Sequence, residues 1–380
     1  MMAALFAVLL RGVREVSMAA LPDVNPAKYD GLLATKVAEV TELFAEFDIP
    51  EVEVFASEPN HYRLRAEFRT WHEDDDLFYI MFQKGSKHDW EKVEDCPMVA
   101  KPIYDVMFVL LDRIKGEPEL RHRLFQIDFL STLSGELLVS LLYHRQLTDA
   151  WDEHAKALES EFGIHVVGRA RKQKKVMSRD FVIEKMPVND QVFTYKQIEN
   201  AFSQPNGKVC GNMLEWALEA TANTGGDLVE LYCGNGNFTI ALAQNFGRVV
   251  ATEISKSSVH AAQYNIEANG IDNIDVVRIS SEEFSQVLAG KLEKRRTKDL
   301  KLETCDFKTV LVDPPRAGLD DDTVQQVQCY DNILYISCNP ETLQENLKVI
   351  CETHKVERFA MFDQFPYTHH VECGVYLSRR

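Results

Sequence analysis

The second half of the sequence restricts the fold most, because short apolar strands alternate there with helical stretches. Strands are predicted at residues 227–231, 248–252, 274–277, 309–312 and 332–337. Segments with helical spacing, such as residues 238–246 and 257–269, separate these strands. The alternation is typical of a doubly wound, mostly parallel sheet, since parallel strands need long crossover connections. The sequence therefore predicts an α/β fold for this half.

The first half has a different pattern. Apolar and charged residues alternate over residues 63–69, which predicts a half-buried strand. Ser134 and Gly135 separate two apolar runs and predict a hairpin turn. Apolar residues recur at helical spacing over residues 25–47, which predicts one helix, or two helices broken at Gly31. This mixture of hairpins and a few helices predicts an antiparallel α+β domain.

We therefore predict three segments: an unstructured extension over residues 1–18, the α+β domain over residues 19–190, and the α/β domain over residues 191–380. The extension begins with an apolar run that is too short to span a bilayer. Its arginines follow that run, whereas a signal peptide carries its positive charge first. No other stretch approaches the length of a membrane span, so we expect a soluble, cytoplasmic protein.

Charge and cysteine usage exclude some classes of partner and cofactor. The 42 basic and 59 acidic residues give a net charge of −17, which excludes a uniformly basic nucleic-acid coat but not a local basic surface. None of the eight cysteines forms a CxxC pair, so neither a zinc ribbon nor an iron–sulfur site is indicated. His369 and His370 are adjacent, and on a strand they would point to opposite faces. We expect free thiols and no metal.

A glycine turn follows the first predicted parallel strand. Gly234 and Gly236 allow the tight turn and the close backbone approach that a nucleotide ligand requires. Glu253, at the end of the next strand, is placed to hydrogen-bond a ribose diol. Thr239 and its neighbours occupy the place of the third glycine of a dinucleotide fingerprint, which argues against a nicotinamide enzyme. The pattern favours S-adenosylmethionine, which has ribose hydroxyls but no phosphate, over a structural turn beside an incidental surface glutamate.

Polar clusters follow two further strands, at the strand ends where open parallel sheets bind ligands. Asp313 precedes two prolines and Arg316, and the prolines end the strand and fix a rigid turn. Cys338 precedes Pro340, which suits the first turn of a helix. The helix dipole would favour the thiolate of Cys338, although a buried structural cysteine is the usual alternative. A further acid, Glu372, lies close to the end of the sheet.

These residues give the chain a resemblance to the RNA uracil-5-methyltransferases. It is most similar to the bacterial tRNA (uracil-5-)-methyltransferases, from about Ala27 to the end. The matching motifs, in the order seen in that family, are residues 61–69, 124–128, 202–206, 230–238, 313–316, 337–340 and 362–372.

The resemblance implies a Rossmann-like, S-adenosylmethionine-dependent methyltransferase domain behind an N-terminal RNA-binding domain. It implies that Cys338 attacks C6 of a uracil, which makes C5 nucleophilic, and that Glu372 removes the C5 proton as general base. The cofactor contacts that it implies are Gln204, Tyr232, Asn237, Glu253 and Asp313. Contact of Asp313 with the uracil edge stays open as an alternative.

The implied substrate is the T-loop uridine of tRNA, with tmRNA as a further substrate, and no obligate protein partner is indicated. One alternative is a ribosomal RNA uracil-5-methyltransferase. Such relatives carry an N-terminal cysteine cluster for an iron–sulfur centre, but only Cys96 precedes Cys210 here. Another alternative is an RNA-folding chaperone without catalysis, which the presence of Cys338 and Glu372 disfavours.

The predicted RNA contacts lie in the first half. Arg63, Arg65 and Arg69 are predicted to share the outward face of one strand, where they would meet phosphates, unless they only form a solvated charged face. Phe125 is predicted to stack on an unpaired base, with a place in the core as the alternative. The basic run at residues 169–175 is a second candidate surface.

Overall fold

The computed structural model describes residues 23–83, 86 and 88–380, and the extension predicted over residues 1–18 lies outside these residues. The described chain divides into two compact units. Apart from the residues up to Pro26, unit 1 consists of Glu58–Glu184 and Gln197–Gly207. Unit 2 consists of Ala27–Ser57, Lys185–Lys196 and Lys208–Arg380.

The helices, α1 to α10 in chain order, are Tyr29–Leu43, Lys101–Lys115, Pro118–Arg121, Asp149–Phe162, Gly207–Thr221, Asn237–Leu242, Lys256–Ala268, Ser281–Leu288, Asp321–Val327 and Pro340–Ile350. The strands, β1 to β17, are Glu53–Phe55, Arg65–Glu73, Asp76–Phe82, Trp90–Lys92, Leu124–Ser131, Leu137–Tyr143, His165–Ala170, Gln173–Val176, Phe181–Val188, Gln191–Ile198, Asp227–Leu231, Val249–Glu253, Ile274–Arg278, Phe307–Val312, Asn332–Ser337, His354–Phe362 and Glu372–Arg379. None of the described helices has the length and apolar character that crossing a membrane requires.

Unit 2 is built on one sheet with the strand order β1-β16-β17-β15-β14-β11-β12-β13. Its strands pair in parallel except β17, which is antiparallel to both β15 and β16. The central strands β11 and β15 are buried along almost their whole length, as expected where both faces of a sheet are covered. Both strands have the bounds predicted from the sequence, and the predicted doubly wound α/β fold is confirmed.

The observed division of the chain differs from the predicted boundary near residue 190, because residues 27–57 join unit 2. Strand β1 pairs in parallel with β16, with Phe55 opposite Phe362. Helix α1 places Phe44 in the core of this unit, where its ring lies 4.8 Å from that of Phe359. These partners lie far apart in the sequence, so local periodicity could not reveal them.

Helix α1 also settles the prediction for residues 25–47. It runs without interruption through Gly31, so the alternative of two helices broken at that residue is wrong. One glycine near a helix start costs too little free energy to end a helix that packs against a core.

Unit 1 contains a second sheet, with the strand order β4-β3-β2-β5-β6-β7-β8. Its strands pair antiparallel except β6 and β7, which are parallel and are joined through α4. Ala66 and Phe68 of β2 are buried as the alternation predicts. Helix α2 covers this side of the sheet, where the Tyr79 hydroxyl donates to the carbonyl of Met107 at 2.9 Å. The predicted antiparallel α+β domain is confirmed.

Substitution by alanine should change the stability of the protein in opposite directions at two glycines of unit 2. A Cβ atom at Gly31 would meet nothing within 4 Å, so Gly31→Ala should stabilise the protein by about 0.5–1 kcal/mol through its better helix propensity. A Cβ atom at Gly374 would lie 2.8 Å from Cζ3 of Trp216, so Gly374→Ala should cost about 1–3 kcal/mol. Denaturant unfolding measures both changes. An unchanged free energy of unfolding for Gly374→Ala would contradict the close packing of β17.

Candidate functional site

The candidate site lies at one edge of the unit 2 sheet, because strand direction brings separate segments there. Strands β11, β14 and β15 are parallel, so the residues that follow them, including Asp313 and Cys338, emerge at the same edge. Strand β17 is antiparallel to β15, with Ser337 opposite Cys373. The first residue of β17, Glu372, therefore lies at the edge where β15 ends. The crossover direction changes between β11 and β14, which is where such sheets bind ligands.

The glycine turn after β11 has the left-handed backbone that glycine favours. The φ angles of Gly234 and Gly236 are +57° and +83°, and Tyr232 shares this region at +66°. Glu253, at the end of β12, accepts hydrogen bonds from the backbone N–H groups of Gly234 at 3.0 Å and Ser255 at 2.6 Å. The predicted ribose-binding acid therefore also holds the glycine turn in place.

Other unit 2 side chains brace the same turn. Asn265 of α7 donates to the carbonyl of Asn235 at 2.9 Å, and the Tyr195 hydroxyl donates to the carbonyl of Asn237 at 2.9 Å. The Asn237 amide donates to Sγ of Cys210 at 3.4 Å. The turn is thus fixed by side chains from α5, α7 and β10, a degree of order that a ligand cradle needs.

The residues of this turn fit a nucleoside such as that of S-adenosylmethionine. A Cβ atom at Gly234 would meet nothing within 4 Å, so the turn is open on that side. The Glu253 carboxylate has lone pairs beyond the two that it uses, and these can accept from ribose hydroxyls. Ile254 directly follows and is 57% exposed, which offers an apolar surface to a base. Thr239, in the place of the third glycine of a dinucleotide fingerprint, is fully buried, and its Oγ1 would lie 3.7 Å from a Cβ atom at Gly236.

Four side chains at the strand ends lie close enough to affect one another's ionisation. Burial raises the pKa of Asp313 to about 7, and burial with the nearby Asp313 holds the pKa of Glu372 well above its usual value. Burial raises the pKa of Cys338 to about 12, and the charges of Glu372 and Asp313 act in the same direction. The Arg316 guanidinium lowers the pKa of both Cys338 and Glu372. The structure therefore brings these predicted residues together and adds Arg316.

The prediction of a favoured Cys338 thiolate is wrong for this state of the protein. The sulfur does lie just before helix α10, whose N-cap is Asn339 and whose first residue is Pro340. Desolvation and two acidic neighbours raise the pKa of the thiol, because a low-dielectric site penalises the charged form. Cys338 is only half-buried, so its thiol can still be reached.

The loop that carries Arg316 is held by helix α10. The backbone carbonyl of Arg316 accepts hydrogen bonds from the Asn339 side-chain amide at 3.0 Å and from the Thr342 hydroxyl at 3.3 Å. The Arg316 guanidinium donates to Nδ1 of His370 at 3.1 Å. This cation therefore links the loop after β14 with the loop before β17.

In unit 1, two of the predicted RNA-binding arginines do not lie on an exposed face. Arg63 precedes β2 and is buried, and its Nε donates to the carbonyl of Arg65 at 2.8 Å. The Arg65 guanidinium donates to the carbonyl of Ala201. Burial lowers the pKa of both guanidinium groups. The predicted outward placement is therefore wrong for Arg63, which segments distant in sequence cover, while Arg65 is half-buried. Gln204 also belongs to unit 1, where it is half-buried.

Arg69 and Phe125 do come together, with His144 as a partner that the sequence did not reveal. The Phe125 ring stacks on the His144 ring at 3.9 Å with an interplanar angle of 9°, and Arg69 lies 5.2 Å from the Phe125 centroid. The register of β5 against β6 shifts between Leu124 and Gln126, and such a bulge can redirect a side chain. Phe125 and His144 line a cleft of about 560 Å³.

Most of the basic run at residues 169–175 is neutralised by ion pairs. Arg169 pairs with Glu199, Lys174 lies 2.7 Å from Asp180, and Lys175 lies 2.8 Å from Asp152. Three of its cations are thus engaged within the protein. Arg171 lines the cleft beside Phe125.

The strand order, the glycine turn and the acids at the strand ends define a Rossmann-like, S-adenosylmethionine-dependent methyltransferase. The fold is similar to that of a solved Pyrococcus abyssi tRNA (uracil-54, C5)-methyltransferase in complex with S-adenosyl-L-homocysteine, with a TM-score of 0.67 at 21% identity. That comparison covers 92% of this chain and 83% of the other.

Comparison of sequences identifies the family of the chain as well as its fold. The family model described as tRNA (Uracil-5-)-methyltransferase matches residues 28–380, and the chain belongs to this family. A tRNA/tmRNA (uracil-C(5))-methyltransferase of Vibrio parahaemolyticus is 55% identical over 365 residues, which cover 94% of this chain and 99% of that protein. A protein of the same description from Shewanella loihica is 56% identical over 361 residues, with the same coverage.

The raised pKa of Cys338 predicts slow and strongly pH-dependent alkylation. Because the assay pH lies well below about 12, the thiolate fraction and the rate with iodoacetamide should rise about tenfold per pH unit. Arg316→Met should slow the reaction a few-fold, since it removes the nearby cation. Peptide mass spectrometry measures the rate at Cys338, with the exposed Cys329 as internal reference.

The matched control for this measurement is Arg296→Met, which changes an exposed arginine of the same unit. It should leave the rate at Cys338 unchanged. A rate at Cys338 that does not vary between about pH 7 and pH 9 would contradict the proposed electrostatic environment of the thiol.

Proposed function

We propose that this methyltransferase transfers a methyl group to C5 of the T-loop uridine of tRNA, and that it also accepts tmRNA. The observation that carries the proposal is the placement of Cys338 and Glu372 at one sheet edge with the glycine turn. The relatives described above, which are named for tRNA and tmRNA, support the choice of RNA. Because tRNA is the proposed substrate, we place the reaction in the cytoplasm.

The first proposed step is attack of the Cys338 sulfur on C6 of the uracil. A bond forms between sulfur and C6, and the electron pair of the C5–C6 double bond moves towards O4 to give an enolate. The thiol must first lose its proton to solvent, and Arg316 favours the ionised form. Carbon C5 of the enolate is then nucleophilic enough to accept a methyl group.

The last proposed step releases the product. Before it, C5 would form a bond to the methyl group as the bond between that group and the sulfonium sulfur breaks, and the electron pair of the broken bond would stay on that sulfur. The Glu372 carboxylate then removes the C5 proton. The electron pair of that C–H bond restores the C5–C6 double bond and expels the Cys338 sulfur as a thiolate. Glu372 has to be ionised to act, and its high pKa means that this step should be faster at higher pH.

S-adenosylmethionine supplies the electrophilic methyl group of the reaction. We propose that Glu253 accepts from the ribose hydroxyls, and that Gly234, Tyr232 and Asn237 line the rest of its site. Asp313, with a pKa near 7, can complement a positive sulfonium or bind the uracil edge. The family resemblance adds Gln204 to the proposed cofactor contacts.

We propose that Arg69, Phe125 and His144 form the RNA-binding surface of unit 1. An aromatic pair stacks on an unpaired base, and an adjacent guanidinium pairs with phosphate, so the three side chains suit an RNA loop. Such a local surface is compatible with the net charge of −17, because the field near a cleft depends on the nearest charges. A uridine inside a folded loop also has to be flipped out before its C6 can be attacked.

Two substitutions test the proposed chemistry. Cys338→Ala should lower transfer of labelled methyl from S-adenosylmethionine to unmodified tRNA by more than about 10³-fold and abolish any covalent adduct, since the nucleophile is lost. Glu372→Gln should still transfer the methyl group but retain labelled RNA on the protein through denaturing electrophoresis. Free release of methylated RNA by Glu372→Gln would contradict its role as base.

The same assay tests the substrate. Wild-type protein should convert the T-loop uridine of a tRNA transcript to 5-methyluridine and leave ribosomal RNA unlabelled. Labelling of ribosomal RNA alone would refute the tRNA assignment, and binding of tRNA without any labelling would favour a chaperone.

The RNA surface predicts two distinguishable binding defects. Phe125→Leu should weaken binding of a T-arm RNA about tenfold at every salt concentration, because base stacking is lost. Arg69→Gln should also reduce the salt dependence of binding, with a loss of about 0.7–0.9 in the logarithmic slope for one phosphate contact. Lys101→Gln, an exposed cation of the same unit that pairs with Asp105, is the control and should bind normally. Normal binding by both test variants would rule out this surface.

A further inference from the structure

A buried ion pair lies in unit 2 outside the residues discussed so far. The Lys36 ammonium of helix α1 is 6% exposed, and Asp363, directly after β16, is 1% exposed. Lys36 Nζ donates to Oδ1 of Asp363 at 2.7 Å, to the carbonyl of Phe365 at 2.9 Å and to the carbonyl of His370 at 3.0 Å. All three N–H donors of the ammonium are therefore used.

The second carboxylate oxygen of Asp363 is also occupied. The Tyr29 hydroxyl donates to Oδ2 of Asp363 at 2.9 Å, and the same hydroxyl accepts from the backbone N–H of Ser57 at 2.7 Å. Charge pairs that lose water are retained at low cost only when such additional bonds satisfy them. The pair is thus a fully bonded junction between helix α1 and the loop of residues 363–371.

This junction acts on the loop that leads to the proposed base. The loop leaves β16 at Phe362, returns to β17 at Glu372, and those two residues are paired across the ladder. Lys36 holds the loop near its beginning and, through the carbonyl of His370, near its end. The ring of His370 accepts from Arg316, so the backbone just before Glu372 is fixed from two sides.

We propose that Lys36 is a positioning residue that holds Glu372 in place for removal of the C5 proton. The inference rests on the function proposed above. It assigns to the N-terminal helix a part in the last step of the reaction, although Lys36 lies on the first helix of the described chain and Glu372 near its end. A misplacement of about 1 Å in a catalytic group can cost about 100-fold in rate, so such a support matters.

Because the proposal concerns removal of the C5 proton, it predicts a specific measurable change, the accumulation of a covalent adduct. Removal of the C5 proton follows methyl transfer, so a misplaced Glu372 should allow the methyl group to be added but delay release of the RNA. Labelled, methylated RNA should then accumulate in covalent linkage to the protein. A loss of stability alone would lower the yield of every step and would not raise the adduct fraction.

The test compares Lys36→Met with Glu372→Gln and wild type under multiple turnover with labelled S-adenosylmethionine and tRNA. We expect Lys36→Met to lower kcat about 10- to 100-fold, to leave KM for tRNA within about twofold, and to raise the adduct fraction well above wild type. The matched control is Lys348→Met, which changes an exposed lysine in an ion pair with Glu345 on α10. It should behave as wild type.

A second variant covers the risk that an unpaired Asp363 prevents folding. Lys36→Met combined with Asp363→Asn removes both charges, keeps the volumes similar, and should show the same rise in adduct. A folded Lys36 variant with reduced turnover and no extra adduct would overturn the proposal while Glu372→Gln still traps RNA. If Glu372→Gln itself traps no labelled RNA, the role of Glu372 as base is refuted, and the proposed role of Lys36 is refuted as well.

Discussion

The antiparallel pairing of β17 with β15 is the constraint on which the candidate site depends. In a purely parallel sheet, only residues that follow strands reach the carboxyl edge, and residues that begin strands lie at the opposite edge. The reversal of β17 puts its first residue, Glu372, beside the residue that follows β15, Cys338. The proposed nucleophile and the proposed base, which helix α10, strand β16 and the loop of residues 363–371 separate in sequence, are thereby brought to the same edge. Their separation is set by backbone hydrogen bonds, which are more rigid than side-chain contacts.

The same edge concentrates groups that resist ionisation. Asp313, Glu372 and Cys338 are desolvated together, and the negative charges disfavour one another, so the pKa of each of the three groups is raised. Glu230, fully buried in β11 near Asp313, has its pKa raised to about 8 by the same desolvation. Arg316 is the cation that opposes these effects at Cys338 and Glu372.

The sheet edge that carries the candidate site is held in place partly by residues that local sequence patterns would assign to the other unit. Residues 27–57 precede the whole of the α+β unit, yet they supply β1, helix α1 and the Lys36 junction to unit 2. Unit 1 in turn exposes Arg69 on its sheet and buries Arg63, while Arg65 and Phe125 are both half-buried. In both units, the contacts that decide the role of a residue are made with segments distant in sequence.

The sequence by itself determined the strand–helix alternation of unit 2, the hairpins of unit 1, the glycine turn with Glu253, and the strand-end motifs that identify the family. These features are local, because periodicity, turn chemistry and motif spacing act within a few residues. Only the tertiary structure decided which arginines are exposed, that His144 stacks on Phe125, that residues 27–57 join unit 2, and that burial raises the pKa of Cys338. Burial, desolvation and long-range pairing produce these features, and none of them can be evaluated until distant segments have been brought together.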